Sequence, residues 1–178
     1  MKPHPYPSPT SLRRSVAWQP RPRPAGVRRA IAVHEAGHCV LMGWIGLESP
    51  KATIEVDDAG ARGAAHWPSR HFFAQLPERP PDEDGMLAAT AAAVYHAGLV
   101  AEMLDAGTPW TGPVHYSAET DYLRADDMLR ERFGRHASGA HAYAQQVAMH
   151  VLSGHWRQVE AIAQQLEREG HWAPLIAT

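Results

Sequence analysis

Residues 32–40 read Ala-Val-His-Glu-Ala-Gly-His-Cys-Val, and this stretch decides how the rest of the chain is interpreted. It lies within a longer segment, Gly26 to Leu47, whose apolar residues recur near the helical period, so the sequence predicts a helix here. Residues four apart lie on one face of a helix, one turn from each other. His34 and His38 can therefore direct two imidazoles at a single metal ion, which predicts a helix-borne zinc site.

Glu35 follows the first histidine and completes the HExxH pattern. Zinc lowers the pKa of a coordinated water towards neutrality, and a nearby carboxylate can take the proton and pass it to a leaving amine. The alternative is an ordinary helix with two surface histidines. The apolar character of this helix argues against that alternative, because a buried charge without a partner is costly. We therefore predict that Glu35 is the general base of a zinc-dependent peptidase.

After this helix, the spacing of apolar residues changes from the helical period to alternation. Lys51 to Asp57 alternates apolar and polar residues, which predicts a half-buried strand, and Ala61 to Trp67 is expected to return as a second strand. A later segment, which begins with Asp82 or Asp84 as its N-cap and runs to Leu104, is apolar on nearly every side. Such a segment predicts a central, buried helix.

Three further helices are expected, from the N-cap Ser117 to about Phe133, from Ala137 to Leu152 and from His155 to Glu169. The predicted fold class is therefore mainly α with a small β-sheet. Residues 1–25 are rich in proline and arginine, which predicts a disordered tail before a domain over residues 26–178. A docking arm for an acidic partner is the alternative interpretation of that tail.

Charge and composition exclude several classes of protein. The net charge of −2 favours neither nucleic acid nor a membrane surface as a partner. The most apolar run, residues 86–101, is too short to predict a membrane span. Cys39 is the only cysteine, so no internal disulfide can form, and a cytoplasmic, reducing location is expected. We interpret Cys39 as part of the core, facing away from the metal.

Residues 32–40 resemble the zinc helix of the FtsH-type ATP-dependent zinc metalloproteases (the M41 family). Residues 51–54, Lys-Ala-Thr-Ile, are similar to the family's "KVTI" strand. Residues 97–104 resemble its "GGRAAEEL" helix without the arginine, and residues 117–125 resemble its "GASNDIERA" segment. The similarity extends through the last helix, so it covers roughly residues 26–170 in the family's order.

This resemblance implies a free-standing peptidase domain that hydrolyses peptide bonds in unfolded or flexible protein segments. The sequence contains no GxxxxGK[ST] nucleotide-binding motif and no membrane anchor is expected, so the resemblance implies an activity that is independent of ATP. The expected substrate is a protein or peptide, which a separate unfoldase or delivery factor could supply. Family enzymes form hexamers, so a homo-oligomer is compatible with the resemblance.

A catalytic zinc ion takes three protein ligands and keeps one open position, so a third ligand is needed. The resemblance implies Asp121, which matches the metal-binding aspartate of the family's "GASNDIERA" segment. Glu102 is the alternative, because other HExxH enzymes take a glutamate from a following helix. As a non-ligand, Glu102 would instead hydrogen-bond a zinc-bound histidine. His115 and His96 are the remaining candidates.

The strand from Lys51 to Asp57 follows the zinc helix directly, and its counterpart in the resembled family borders the active-site cleft. We expect an extended peptide to add to its free edge through main-chain hydrogen bonds at Thr53, Ile54 and Glu55. The alternative is an edge that the loop from Pro68 to Pro81 covers.

Two other functions compete with a peptidase of this family. One is a non-catalytic metal-binding adaptor, or pseudo-protease, that binds a partner protein. The other is the class of phage and mobile-element peptidases that cleave repressors and also carry HExxH. Glu35 argues against the adaptor, because a binding module has no use for a general base, and the extended resemblance argues against the phage class.

Overall fold

The computed structural model of the chain describes residues 26–47, 50–57, 60–66, 81–114 and 120–174. Within these ranges the chain is mainly helical with a small antiparallel sheet, which confirms the predicted fold class at this level. Several sequence predictions lie outside the described residues: the tail over residues 1–25, the loop over residues 68–80, His115 and the N-cap Ser117.

The predicted helices are all found within the described ranges, with ends that differ by a few residues. They are α1 Val27–Trp44, α2 Pro81–Ala106, α3 Thr120–Phe133, α4 Ala137–Gly154 and α5 Trp156–Glu169, with a short 3-10 helix at Gly134–His136. The predicted start of α2 is wrong, because the helix begins at Pro81 and both Asp82 and Asp84 lie inside it. Proline suits the first position of a helix, where its missing N–H would have no intrahelical partner.

The sheet contains β1 Lys51–Asp57, β2 Gly60–His66 and β3 His171–Trp172. β1 and β2 form an antiparallel hairpin in which Lys51 pairs with His66 and Asp57 pairs with Gly60. This confirms the predicted hairpin, with β2 one residue earlier than expected.

The prediction of a free edge on β1 is wrong. The strand order is β2-β1-β3, so β1 is the central strand. β3 pairs with β1 at Ala52 and Thr53, and the N–H of Ile54 donates to the carbonyl oxygen of Gly170 at 2.8 Å. Gly170 has φ 75°, a left-handed conformation that favours glycine, so α5 ends there and the chain returns to the sheet. An added peptide therefore cannot pair with Thr53 or Ile54.

The core places α1 directly against α2. A Cβ added at Gly37 of α1 would lie 2.5 Å from the carbonyl oxygen of Ala97 and 2.8 Å from the Cβ of Ala101, so the two backbones approach closely. α2 is also in contact with α3 and α4, and it is buried on several sides as the sequence predicts. Cys39 is 2% exposed and belongs to this core, which confirms its predicted role in packing. Among the described helices, none is long and apolar enough to cross a membrane.

Candidate metal centre

The three predicted ligands converge at one point between α1 and α3. His34 and His38 lie one turn apart on α1, and Asp121 lies in the first turn of α3. Oδ2 of Asp121 is 3.1 Å from Nε2 of His38 and 3.5 Å from Nε2 of His34. One ligand atom from each of the three residues lies within 4.8 Å of the other two. No other group of His, Cys, Asp or Glu side chains in the described ranges is arranged to hold a metal.

The outer nitrogen of each imidazole has a partner that fixes the orientation of the ring. Nδ1 of His34 lies 2.6 Å from Oε1 of Glu102, and Nδ1 of His38 lies 2.7 Å from the carbonyl oxygen of Val94. A carbonyl oxygen can only accept, so Nδ1 of His38 carries the proton, and the Glu102 carboxylate favours the same tautomer for His34. Both Nε2 atoms therefore face the centre, where they donate to Asp121 when protonated and can bind a cation when deprotonated. This is the arrangement in which metal-binding histidines are held by their surroundings.

Of the two roles predicted for Glu102, metal ligand or hydrogen-bond partner of a ligand histidine, its position matches the second. It does not join the cluster of ligand atoms, and it contacts His34 from the side opposite Asp121.

The electrostatics of the centre favour a positive charge. Burial alone would lower the pKa of His34, but the hydrogen bonds to Asp121 and Glu102 and the charge of Glu35 raise it to about 10. Burial acts to raise the pKa of Asp121, yet the hydrogen bonds from His34 and His38 hold it well below its ordinary value. The carboxylates thus draw a proton onto His34 when no cation is present. Two imidazole nitrogens and one carboxylate oxygen also form a donor set that zinc accepts, so the residues fit this metal.

Glu35 lies beside the ligands without being one of them. Its side chain is 6% exposed, and it lines the same cleft as His34 and His38. Burial raises the pKa of Glu35, while the charges of the two histidines lower it in part. A carboxylate whose pKa is raised towards the working pH is suited to act as a general base.

The strand β2 holds Glu35 in place. The backbone N–H of Ala65 donates to the carboxylate of Glu35. A Cβ added at Gly63 would clash with Oε1 of Glu35 and would lie 2.7 Å from its Cγ. The absence of a side chain at Gly63 therefore allows β2 to pass directly over the carboxylate.

The ligands and Glu35 lie in an open cleft with a volume of about 380 Å³. The described residues that line it are His34, Glu35, His38 and Met42 from α1, Gly63, Ala64 and Ala65 from β2, Tyr95 from α2, and Thr120, Asp121 and Arg124 from α3. The sequence predictions did not include the β2 residues, Tyr95 or Arg124. Arg124 could have been identified, because it follows Asp121 by three residues and so shares its face of the helix.

Several predicted residues lie away from this cleft. Thr53, Ile54 and Glu55 do not line it, which agrees with the central position of β1. His96, a candidate third ligand, instead forms a buried hydrogen bond between its Nε2 and Nδ1 of His141 at 2.9 Å, so that prediction is wrong. Nε2 of His141 in turn lies 3.1 Å from Asp126 of α3. A connected set of side chains thus joins α2 and α4 to the helix that carries Asp121.

Comparison of the chain with protein-family models, with curated proteins and with solved structures finds no match. A function for the chain must therefore be inferred from the geometry of this centre together with the motifs of the sequence.

Proposed function

We propose that this chain is a zinc-dependent endopeptidase that hydrolyses peptide bonds in unfolded or flexible protein segments, without ATP. The observation that supports this most strongly is the convergence of His34, His38 and Asp121 beside the buried carboxylate of Glu35, in an open cleft. The motifs that resemble the M41 family support the same proposal. They add the expectation that a separate unfoldase or delivery factor brings folded substrates to the enzyme.

The reaction needs an activated water and a route for its proton. His34, His38 and Asp121 would hold the zinc ion, which supplies Lewis acidity and lowers the pKa of a water in its coordination sphere. Glu35 accepts a proton from the water as the water oxygen attacks the carbonyl carbon of the peptide bond. Glu35 then gives that proton to the leaving nitrogen as the C–N bond breaks, so the carboxylate is regenerated. Glu102 and the carbonyl of Val94 keep the two imidazoles oriented during the cycle.

The outer edge of β2 is the best place for an extended substrate. β2 pairs with β1 on one side, and no strand of the described ranges pairs with its other side. Gly63, Ala64 and Ala65 border the cleft beside Glu35. Their side chains are absent or small, so an extended chain can approach the main-chain groups that remain free once the N–H of Ala65 donates to Glu35. Main-chain pairing does not depend on side-chain identity, so this geometry favours broad sequence preference and substrates with an extended backbone.

A non-catalytic metal-binding adaptor remains the alternative, and Glu35 separates the two functions. An adaptor gains nothing from a buried carboxylate next to the metal, whereas desolvation of that carboxylate has a cost in stability.

The substitution Glu35→Gln tests the proposal directly. The variant should retain about one zinc ion per chain, measured by elemental analysis, because Glu35 is not a ligand. Cleavage of casein should fall by at least about a hundredfold, since the general base is lost. Glu131→Gln, at an exposed position on α3, is the matched control and should cleave normally. Equal cleavage by Glu35→Gln would remove Glu35 from the mechanism, and a zinc-loaded wild type without activity would favour the adaptor.

A further inference from the structure

The α3 side of the cleft carries a positively charged residue for which the mechanism above has no use. Arg124 lines the cleft three residues after Asp121, and its side chain is exposed. Two other arginines on these helices are held by carboxylates: Arg29 pairs with Asp105 and Glu167, and Arg130 pairs with Asp126. Arg124 has no ion pair with any residue in the described part of the chain. Its guanidinium is therefore available to a ligand in the cleft.

The charge balance of the cleft also favours an anion at this position. The acidic side chains that line it, within the described ranges, are Glu35 and Asp121. A zinc ion held at the centre would balance these two carboxylates. Among the residues that line the cleft, the charge of Arg124 would then lack a counterion, and a bound anionic group would supply one. The carboxylate of Glu102 lies outside this lining, against Nδ1 of His34. A guanidinium recognises a carboxylate through two parallel hydrogen bonds, which gives direction as well as attraction.

Tyr95 adds a second polar group to the same region. It projects from α2 into the cleft and is half-buried. Burial raises the pKa of Tyr95, and the charge of Arg124 lowers it in part, so the two side chains interact while the hydroxyl stays protonated at neutral pH. A phenol in this state can donate a hydrogen bond to an anion.

We propose that Arg124, with Tyr95 beside it, binds a carboxylate of the peptide substrate. This inference rests on the proposed peptidase function and adds a substrate preference to it. The carboxylate comes either from the C-terminus of a short peptide or from an acidic side chain. The Cβ atoms of Asp121 and Arg124 are about 5–6 Å apart on the helix, and an extended peptide advances by about 3.3 Å per residue. Because Arg124 lies one helical turn from Asp121, the recognised carboxylate belongs to a residue near the scissile bond.

Binding of uncleaved peptides tests this proposal separately from catalysis. The protein is the zinc-loaded full chain with Glu35→Gln, and three fluorescent peptides of one sequence are compared by anisotropy. The first has a free C-terminus, the second a C-terminal amide, and the third an amide with Asp in place of Asn near that end. We expect one or both carboxylate peptides to bind about tenfold more tightly than the neutral amide, as charge-assisted hydrogen bonds do. The peptide that gains shows whether the C-terminus or the acidic side chain is recognised.

Variants at Arg124 show whether this residue causes the preference. Adding Arg124→Gln should reduce the affinity ratio to about one, and Arg124→Lys should restore part of it, because lysine keeps the charge without the paired donors. Arg157→Gln, at an exposed position on α5, is the matched control and should leave the ratio unchanged. Higher salt should also weaken the carboxylate preference of the protein that keeps Arg124, because salt screens the attraction between the two charges. This test requires no substitution at Arg124.

Two results would overturn the proposal: equal affinities for all three peptides, or a carboxylate preference that survives Arg124→Gln with zinc still bound. Failure of the peptidase function looks different. In that case the wild type would cleave no peptide, while the preference that depends on Arg124 would remain in the binding measurement.

Discussion

The substitution Gly98→Ala should remove zinc binding while leaving the fold intact. Gly98 lies in the buried part of α2, against the imidazole of His34. An added Cβ would lie 2.5 Å from Cε1 of that ring and closer still to Nε2 and Cδ2, whereas ordinary contact begins at 3.4 Å. The ring would therefore have to move by about 1 Å, roughly five times the tolerance of about 0.2 Å in a metal–ligand distance.

The expected loss of zinc affinity can be estimated from the contacts of His34 that this movement removes. Displacing the ring removes one metal ligand and also disturbs the 2.6 Å contact between His34 and Glu102. Loss of such an outer contact alone lowers metal affinity by about 10- to 100-fold. We therefore expect zinc affinity to fall by at least about a hundredfold, which corresponds to about 2.7 kcal/mol. The metal-free protein should stay folded but lose some stability. Displacement of the ring weakens its contacts with Asp121 and Glu102, and the preference of a helix for alanine over glycine, about 1 kcal/mol, offsets only part of this loss.

Chelator competition measures the zinc affinity, and thermal unfolding in EDTA measures the stability of the metal-free protein. Gly43→Ala is the matched control, because Gly43 lies on α1, where an added Cβ would have no neighbour within 4 Å. This control should bind zinc as the wild type does. Wild-type affinity in Gly98→Ala would show that His34 is not a ligand. Unfolding of Gly98→Ala in EDTA would show that its effect acts on helix packing instead.

Two further predictions concern the metal. Asp121→Ala should lose the zinc ion in elemental analysis, whereas Glu102→Gln should retain it with about 10- to 100-fold lower affinity; zinc loss in the Glu102 variant alone would contradict the ligand assignment. Zinc affinity should also rise by about one decade per pH unit between about pH 7 and 9, because zinc displaces the proton on His34, whose pKa is raised to about 10. In the metal-free protein the sign is opposite, since stabilisation by protonated His34 is complete below about pH 6.5 and is lost as the pH rises through about 10. Chelator competition and unfolding at several pH values test both trends, and a zinc affinity that does not change with pH would contradict this interpretation.

The parts of the site that depend on local geometry could be predicted from the sequence. His34 and His38 share a helix, and a spacing of four residues fixes their relative direction whatever the rest of the chain does. Asp121 could not be placed in this way, because its approach to α1 depends on how α3 packs. Its prediction came from the resemblance of the surrounding residues to a known motif.

Long-range pairing accounts for the predictions that are wrong. β3 contains only His171 and Trp172, which is too short for an alternating pattern, so the pairing of β3 with β1 could not be predicted from the sequence. The contact between His96 and His141 joins residues of two different helices and has no local signature either. Arg124 is a different case, because its helical spacing from Asp121 already placed it on the same face of α3.

The origin of the ligands on two separate helices has a consequence for the mechanical behaviour of the protein. His38 and Asp121 are roughly 80 residues apart in the chain, and a metal between them closes that whole length into a loop, as a covalent cross-link would. The intervening segment includes the β1–β2 hairpin, whose strand β2 lines one side of the cleft, and all of α2. A single zinc ion would thus clamp α3 to α1 and resist their separation under load. Without the ion, the contacts of Asp121 with His34 and His38 would remain, and the two helices should separate at a lower load.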